Sequence, residues 1–357
     1  MASADHHPTA ITTIPSDTAV PTPAPARDND AFSSSSPPSK PPSSRIHTLR
    51  RLLHAHITQT TDRTLTRLSK LLSNPASTDA LICTLGYIFT LLSSLTSRTL
   101  SRRLTTLATS IATKAQDVLL PGETLVATIP APTSTRVLAQ ASTSCKALGD
   151  VLLDFHIFVR LWGVVGIWAW AREVWGTPLP AKSDNGSKNG DEVKKIWKEK
   201  VLRRIAWAQI ASCTTFQIIE NVAYLASKGV LDGLPGWTGE EGKRREVKWW
   251  AWSSRFWAAH VVLEFGRLWT IWRYQDQDAG GGHAHGVSDG EKEDKLKMVE
   301  KKREDRIWWR DVVSNVAYFP LTMHWSHEEG LLGDGRVGAC GMVAGGVLLV
   351  DAWRETA

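Results

Sequence analysis

Ala80 to Ser97, ALICTLGYIFTLLSSLTS, runs for 18 residues without a charge between Asp79 and Arg98. As an α-helix it measures about 27 Å, close to the roughly 30 Å hydrocarbon core of a bilayer. Its two sides differ. Leu81, Leu85, Ile88, Leu92 and Leu95 recur at spacings of three and four, whereas Cys83, Gly86, Thr90, Ser93, Ser94 and Ser97 form a stripe of small, weakly polar side chains. Such a helix can lie in the headgroup layer as a sensor of loose lipid packing or cross the bilayer. It can also turn its small stripe, with Gly86 and Ser93 in it, against another helix. Periodicity alone leaves these readings open.

Outward from this stretch the chain is basic on both sides. Arg45 to Val118 carries ten Lys and Arg against three Asp. Before the neutral stretch, Leu49, Leu52, Leu53, Ile57, Leu65 and Leu68 keep a helical period with Arg50, Arg51 and Arg67 between them. After it, Leu100, Leu104, Leu107 and Ile111 do the same beside Arg102 and Arg103. An apolar face flanked by unopposed cations fits an anionic lipid surface. The residues expected against lipid are therefore Arg50, Arg51, Leu52, Leu53, Arg67 and Leu68, then Leu81, Leu85, Ile88 and Leu92, then Arg102 and Arg103. Asn74-Pro75 interrupts the first helix, because the residue before a proline is pushed out of the helical region. Ser77 or Thr78 restarts it with Asp79 in the favourable first turn.

The rest of the chain shows that this basicity is local. The net charge is +6 over 357 residues, and most of it lies in the stretch just described. Residues 1–44 hold nine of the 17 Pro and the run Ser33 to Ser36. Such a segment cannot bury enough apolar surface to order itself and is expected to be a disordered arm. No apolar signal segment is legible there. The four cysteines stand singly, without a C-x-x-C pair, as in a reduced compartment lacking a zinc site.

All 17 Trp fall between Trp162 and Trp353, near the ends of apolar runs, where a half-polar ring suits a membrane-water boundary. From about 134 to 353 the pattern is helical, with exposed loops expected at 177–190 and 278–296 and a helix end expected at Pro320. No strand-like alternation of any length occurs. The fold class is all-α: a disordered arm (1–44), a basic amphipathic region (45–120) and a Trp-rich helical membrane region (134–353).

Within the Trp-rich region two polar stripes interrupt apolar helices. Gln217, Glu220, Asn221, Tyr224 and Lys228 form one, and His260, Glu264 and Arg267 the other; the simplest expectation is that the two meet. Gly341 and Gly345, four apart in a Gly-rich apolar segment, have the spacing that lets helices approach closely. His283 and His285 could ligate a metal, but two ligands without a nearby Cys read better as a solvated loop. No nucleophile with a placed base, phosphate loop or metal set is legible, so neither an enzyme nor a cofactor is expected. The cations alternate with Leu and belong to no base-reading motif, which argues against nucleic acid.

Two stretches resemble a known family. Ser77-Thr78-Asp79 leading to Leu85, Tyr87 and Leu91-Leu92 resembles the N-terminal amphipathic segment of the peroxin-11 family. Phe216 to Leu231, with its Glu-Asn, Tyr-Leu and Lys-Gly pairs, is similar to that family's central block. Arg255 to Trp269 and His324-Trp325-Ser326 before a Gly-rich apolar segment fit the same order, closest to the divergent fungal branch. The resemblance covers roughly Arg45 to Trp353; Ile82 and Cys83 stand where the family usually has Lys or Arg. It implies a peroxisomal membrane protein with cytosolic termini, acting in peroxisome elongation and division. Its implied partners are anionic membrane lipids, further copies of itself and a dynamin-related fission machinery. Two alternatives stay open beside this reading: a scaffold that recruits the fission machinery without remodelling lipid, and a multi-pass small-metabolite pore.

Overall fold

A computed structural model describes residues 44–116, 132–178, 190–278 and 290–357. Among these the chain is helical, in the order α1 (Ser44–Ser73), α2 (Pro75–Gln116), α3 (Thr133–Val159), α4 (Gly163–Gly176), α5 (Gly190–Ser227), α6 (Gly239–Asp278), α7 (Gly290–Trp325) and α8 (Asp334–Glu355), with no strand. The expected arm and the His283/His285 pair lie outside the described residues, as does most of the loop expected at 278–296. The last part of that loop, 290–296, belongs to α7.

The chain falls into two units, Met1–Thr58 and Gln59–Ala357. Of the first, the described part is the beginning of α1, on which Arg50, Arg51 and Leu53 are exposed.

The Asn74-Pro75 break is where sequence placed it, but α2 restarts at Pro75 itself and not at Ser77 or Thr78, so Asp79 lies beyond its first turn. The Asn74 side chain accepts a hydrogen bond from the Ala76 N–H at 3.0 Å, and its carbonyl accepts from the Thr78 N–H at 2.9 Å. An Asn before a Pro at the first helical position suits a helix start, since Pro lacks a donor that would be orphaned anyway. The helix that follows is continuous for 42 residues, about 63 Å at 1.5 Å per residue, so the neutral stretch and the basic stretch after it form one rod.

α2 is flanked by α3 on one side and α8 on the other. From α8 the packing passes to α7, then α6, α5 and α4. α3 and α4 are joined through a 3-10 turn, Arg160–Trp162, at a bend of 47°. Partners run antiparallel: between α2 and α3 Gly86 faces Leu153 and Ser93 faces Ser142, and between α2 and α8 Leu91 faces Gly338 and Thr84 faces Gly345. The α5–α6 turn begins with Gly229 at φ 74, the left-handed conformation expected of a helix-ending glycine, and the Val230 N–H closes back on the Leu225 carbonyl at 3.0 Å.

One expected helix end is not observed: α7 continues through Pro320 to Trp325. Pro320 removes one backbone donor, but Leu321 and Thr322 beside it are completely buried and Thr322 donates to the Phe319 carbonyl at 2.7 Å. Tertiary packing holds the turn that local propensity would open.

A charged interior and an apolar exterior

The small stripe of α2 is spent on helix contacts. A Cβ added at Gly86 would come within 2.8 Å of Leu153 on α3. Ser93 donates to the Ser142 carbonyl of α3 at 3.0 Å. On the other side, Gly341 of α8 lies against the Tyr87 ring, and a Cβ at Gly345 would sit 2.6 Å from the Thr84 hydroxyl. Side chains this small let two backbones approach and exchange dispersion contacts that bulkier residues would block. Leu81, Leu85 and Ile88 are half-buried between these contacts, while Leu92 is exposed.

The two polar stripes do not meet. Glu220 on α5 accepts from Arg160 at the α3–α4 bend, Nη2 to Oε1 2.5 Å, and its side chain is almost wholly buried. Gln217 donates to Asn221 at 2.7 Å, and Asn221 in turn donates to the Leu161 carbonyl at 3.0 Å. Tyr224 and Lys228 both reach Asp154 of α3. The second stripe faces other neighbours: Gln209 donates to Glu264 at 2.7 Å, and Arg267 bridges Glu264 and Asp311 of α7. Arg310 links Asp311 to Asp351 of α8. A further pair, His156 with Asp79, ties α3 to the start of α2. The sequence marks Glu220, Glu264 and Arg267 but not Asp311, which pairs with Arg267, or Asp351, which pairs with Arg310. The only local signal for those was an acid inside or at the end of an apolar run.

Between these helices lies a cavity of about 770 Å³, lined by Asp79, His156, Arg160 and Glu220 and by Tyr87, Trp257, Tyr318 and Trp325. The Trp257 and Trp325 rings stack at 5.7 Å. The Arg160 Nε is buried without a hydrogen-bond partner.

Toward the outside the chemistry inverts. Eight of the 17 Trp are exposed, among them Trp175 at 76% and Trp162 at 72%. Exposed aliphatic or aromatic side chains occur on each helix from α3 to α8: Val151 and Phe155 on α3, Val165 on α4, Ile218 on α5, Val262 on α6, Val316 on α7 and Val343 on α8. Soluble chains seldom expose more than a few hundred Å² of contiguous apolar surface, and each exposed Trp alone offers on the order of 150 Å². Charges paired inside and apolar groups outside are what a hydrocarbon solvent selects.

The cations expected at lipid divide. Arg102 and Arg103 are exposed. Arg67, by contrast, is turned to the end of α8: it donates to the Trp353 carbonyl at 2.6 Å and to the Thr356 hydroxyl at 3.2 Å, and its guanidinium lies 4.5 Å over the Trp353 ring. Leu68 beside it is half-buried, and the Leu52 side chain lies outside the described residues. By length and hydropathy α2 and α8 can each cross a bilayer, and the bent α3–α4 pair can form a third span. No group of three or more metal-ligating side chains occurs among the described residues.

These features define an all-α membrane protein whose helices are held together by small-residue contacts and inward ion pairs. Residues 188–353 match the family model of peroxisomal biogenesis factor 11, which supports membership of the peroxin-11 family. That match supports a role in peroxisome biogenesis and a location at the peroxisomal membrane. An uncharacterized protein of Schizosaccharomyces pombe is 27% identical over 115 residues, 32% of this chain and 41% of the relative, so the chain matches about two fifths of that protein's length. No solved structure matches.

Proposed function

We propose that the chain elongates the peroxisomal membrane and prepares it for division, with its termini in the cytosol. The observation that carries this reading is the inversion just described, an apolar perimeter around paired charges, joined to a 42-residue helix whose distal half bears exposed Arg102 and Arg103. Inserted apolar side chains gain about 0.8 kcal/mol per buried methylene, and each Lys or Arg near an anionic surface about 1 kcal/mol. Insertion into one leaflet expands it relative to the other and favours curvature. Self-association and recruitment of a dynamin-related machinery complete the sequence of events in this reading. The test is reconstitution of the full chain into anionic vesicles: elongation of the vesicles supports it. Vesicles that stay round, in cells where deletion still alters peroxisome number, would leave a scaffold that recruits the machinery.

The 770 Å³ cavity with Arg160 and Glu220 on its wall favours a second reading, passage of small metabolites. Conductance of reconstituted bilayers that falls on Glu220→Gln supports it; unchanged permeability removes it.

A further inference from the structure

α6 is too charged to pass for a bilayer span on composition, since Arg255, Glu264 and Arg267 fall within its apolar stretch. The structure gives each of these charges a partner, although Arg255 stays exposed. Arg255 donates to the Ser326 carbonyl at 3.3 Å and its guanidinium lies 4.8 Å over Trp252. His260 meets Cys213 at 3.2 Å, and Glu264 and Arg267 pair with each other and with Gln209 and Asp311. What α6 shows outward between its ends is Ala259 and Val262, with Trp252 and the exposed Arg255 at one end and Trp269, Trp272 and the exposed Arg273 at the other. From Trp252 to Trp269 is about 26 Å of helix, and to Trp272 about 30 Å. That is the thickness of the hydrocarbon core, with a Trp at each boundary.

α7 supplies an independent marker of the same boundary. Leu296, Met298 and Val299 are exposed near its start, but from Glu300 to Arg306 every exposed residue is charged, among them Lys301, Lys302 and Arg303, and from Trp309 onward through Val313 and Val316 the exposed residues are apolar. Trp308 donates to the Leu268 carbonyl at 3.1 Å, which sets this change of character level with Trp269 of α6. Arg310 pairs with Asp351 two residues before Trp353, so the same level is the end of α8. Three adjacent helices therefore switch from water-facing to apolar surface at one height.

We infer that α6 and α7 cross the bilayer as a hairpin beside α8, with lipid tails covering the outward face of Ala259, Val262 and Val316. The inference rests on the membrane reading above and goes beyond the spans that composition allows. It sets the α5–α6 turn and the α7–α8 turn on one side of the membrane and the start of α7 with the end of α8 on the other.

Single cysteines at Val262, Val316, Val343 and Lys302 of the full chain, reconstituted in vesicles, test it. A membrane-impermeant maleimide should label Val262→Cys and Val316→Cys at least tenfold more slowly than Lys302→Cys, and as slowly as Val343→Cys on α8, with all four equal after denaturation. The native cysteines are corrected for with the unaltered chain. A bimane placed at Val262→Cys should be quenched by mid-chain brominated phosphatidylcholine as strongly as one at Val343→Cys. Fast labelling of Val262→Cys and Val316→Cys with Val343→Cys still protected would overturn the inference and leave the membrane reading standing. Fast labelling at all four would remove both. Protection without quenching, together with cross-linking of Val262→Cys between chains, would put a second copy in place of lipid and overturn it as well.

Discussion

Arg160 and Glu220 are joined across 60 residues of sequence, Nη2 to Oε1 at 2.5 Å, at the point where α3 bends into α4 and α5 passes beside it. The carboxylate is nearly inaccessible, while the guanidinium keeps some exposure. A pair of this kind holds two helices in one relative register because neither charge can be left alone in a medium of low polarity.

Removing one member should therefore cost far more than removing both. Glu220→Gln strands the Arg160 charge and is expected to lower stability by about 3 kcal/mol, whereas Arg160→Met with Glu220→Met should cost less than either single change. Thermal unfolding of the full chain in detergent, followed by circular dichroism, measures all three. A double variant less stable than both singles would mean that the pair is not the main lock between these helices.

The contact of α2 with α8 depends on the absence of a side chain at Gly341. Gly341→Leu must push into the Tyr87 ring, and overpacking of this kind costs about 1–3 kcal/mol. Gly346, whose Cβ would find only Thr84 at 4.0 Å, is the control: Gly346→Ala should be close to neutral. Limited proteolysis of the detergent-solubilised variants separates them.

The exposed cations should act through charge and not through packing. Arg102→Gln with Arg103→Gln removes about 2 kcal/mol of attraction to an anionic surface and should reduce elongation of anionic vesicles while leaving thermal stability unchanged. Raising the salt to 0.5 M should weaken the unaltered protein similarly, since screening shortens the reach of surface charge. Counting tubules by electron microscopy checks both, and elongation indifferent to charge and salt would assign the work to the apolar faces alone.

Arg67 is predicted to behave differently from its basic neighbours. Its hydrogen bonds to the Trp353 carbonyl and the Thr356 hydroxyl tie the end of α8, and bonds from a charged donor contribute about 1.5–3 kcal/mol each at most. Arg67→Ala should free the last turn, seen as faster amide exchange over 353–357, with little effect on vesicle binding.

Several features of the chain were legible before any tertiary contact was known. The break at Asn74-Pro75 and the two-sided character of Ala80–Ser97 both appear where local chemistry put them. Each depends on interactions within about a turn of the residue itself, and those are written in adjacent letters. Pro320 was misread for the complementary reason. Its helical turn is held by burial of Leu321 and Thr322, a fact about neighbours hundreds of atoms away along the chain.

The candidate site divides the same way. That Glu220, Glu264 and Arg267 needed partners followed from placing charge on apolar helices; that Glu220 takes Arg160 while Arg267 takes Asp311 did not. The two stripes could have satisfied each other equally well by chemistry. Only the order of helices round the bundle, α2 between α3 and α8 and α5 between α4 and α6, decides which stripe faces which neighbour.

By itself, then, the sequence determined that this protein is helical, basic near its N-terminal third and destined for a membrane, because composition and periodicity depend on each segment alone. Tertiary structure decided that the charges point inward in pairs, that eight of the 17 Trp rings point outward, and that Arg67 serves the protein and not the lipid. Those outcomes depend on which surfaces remain after the helices have packed, and that is a property of the assembled bundle.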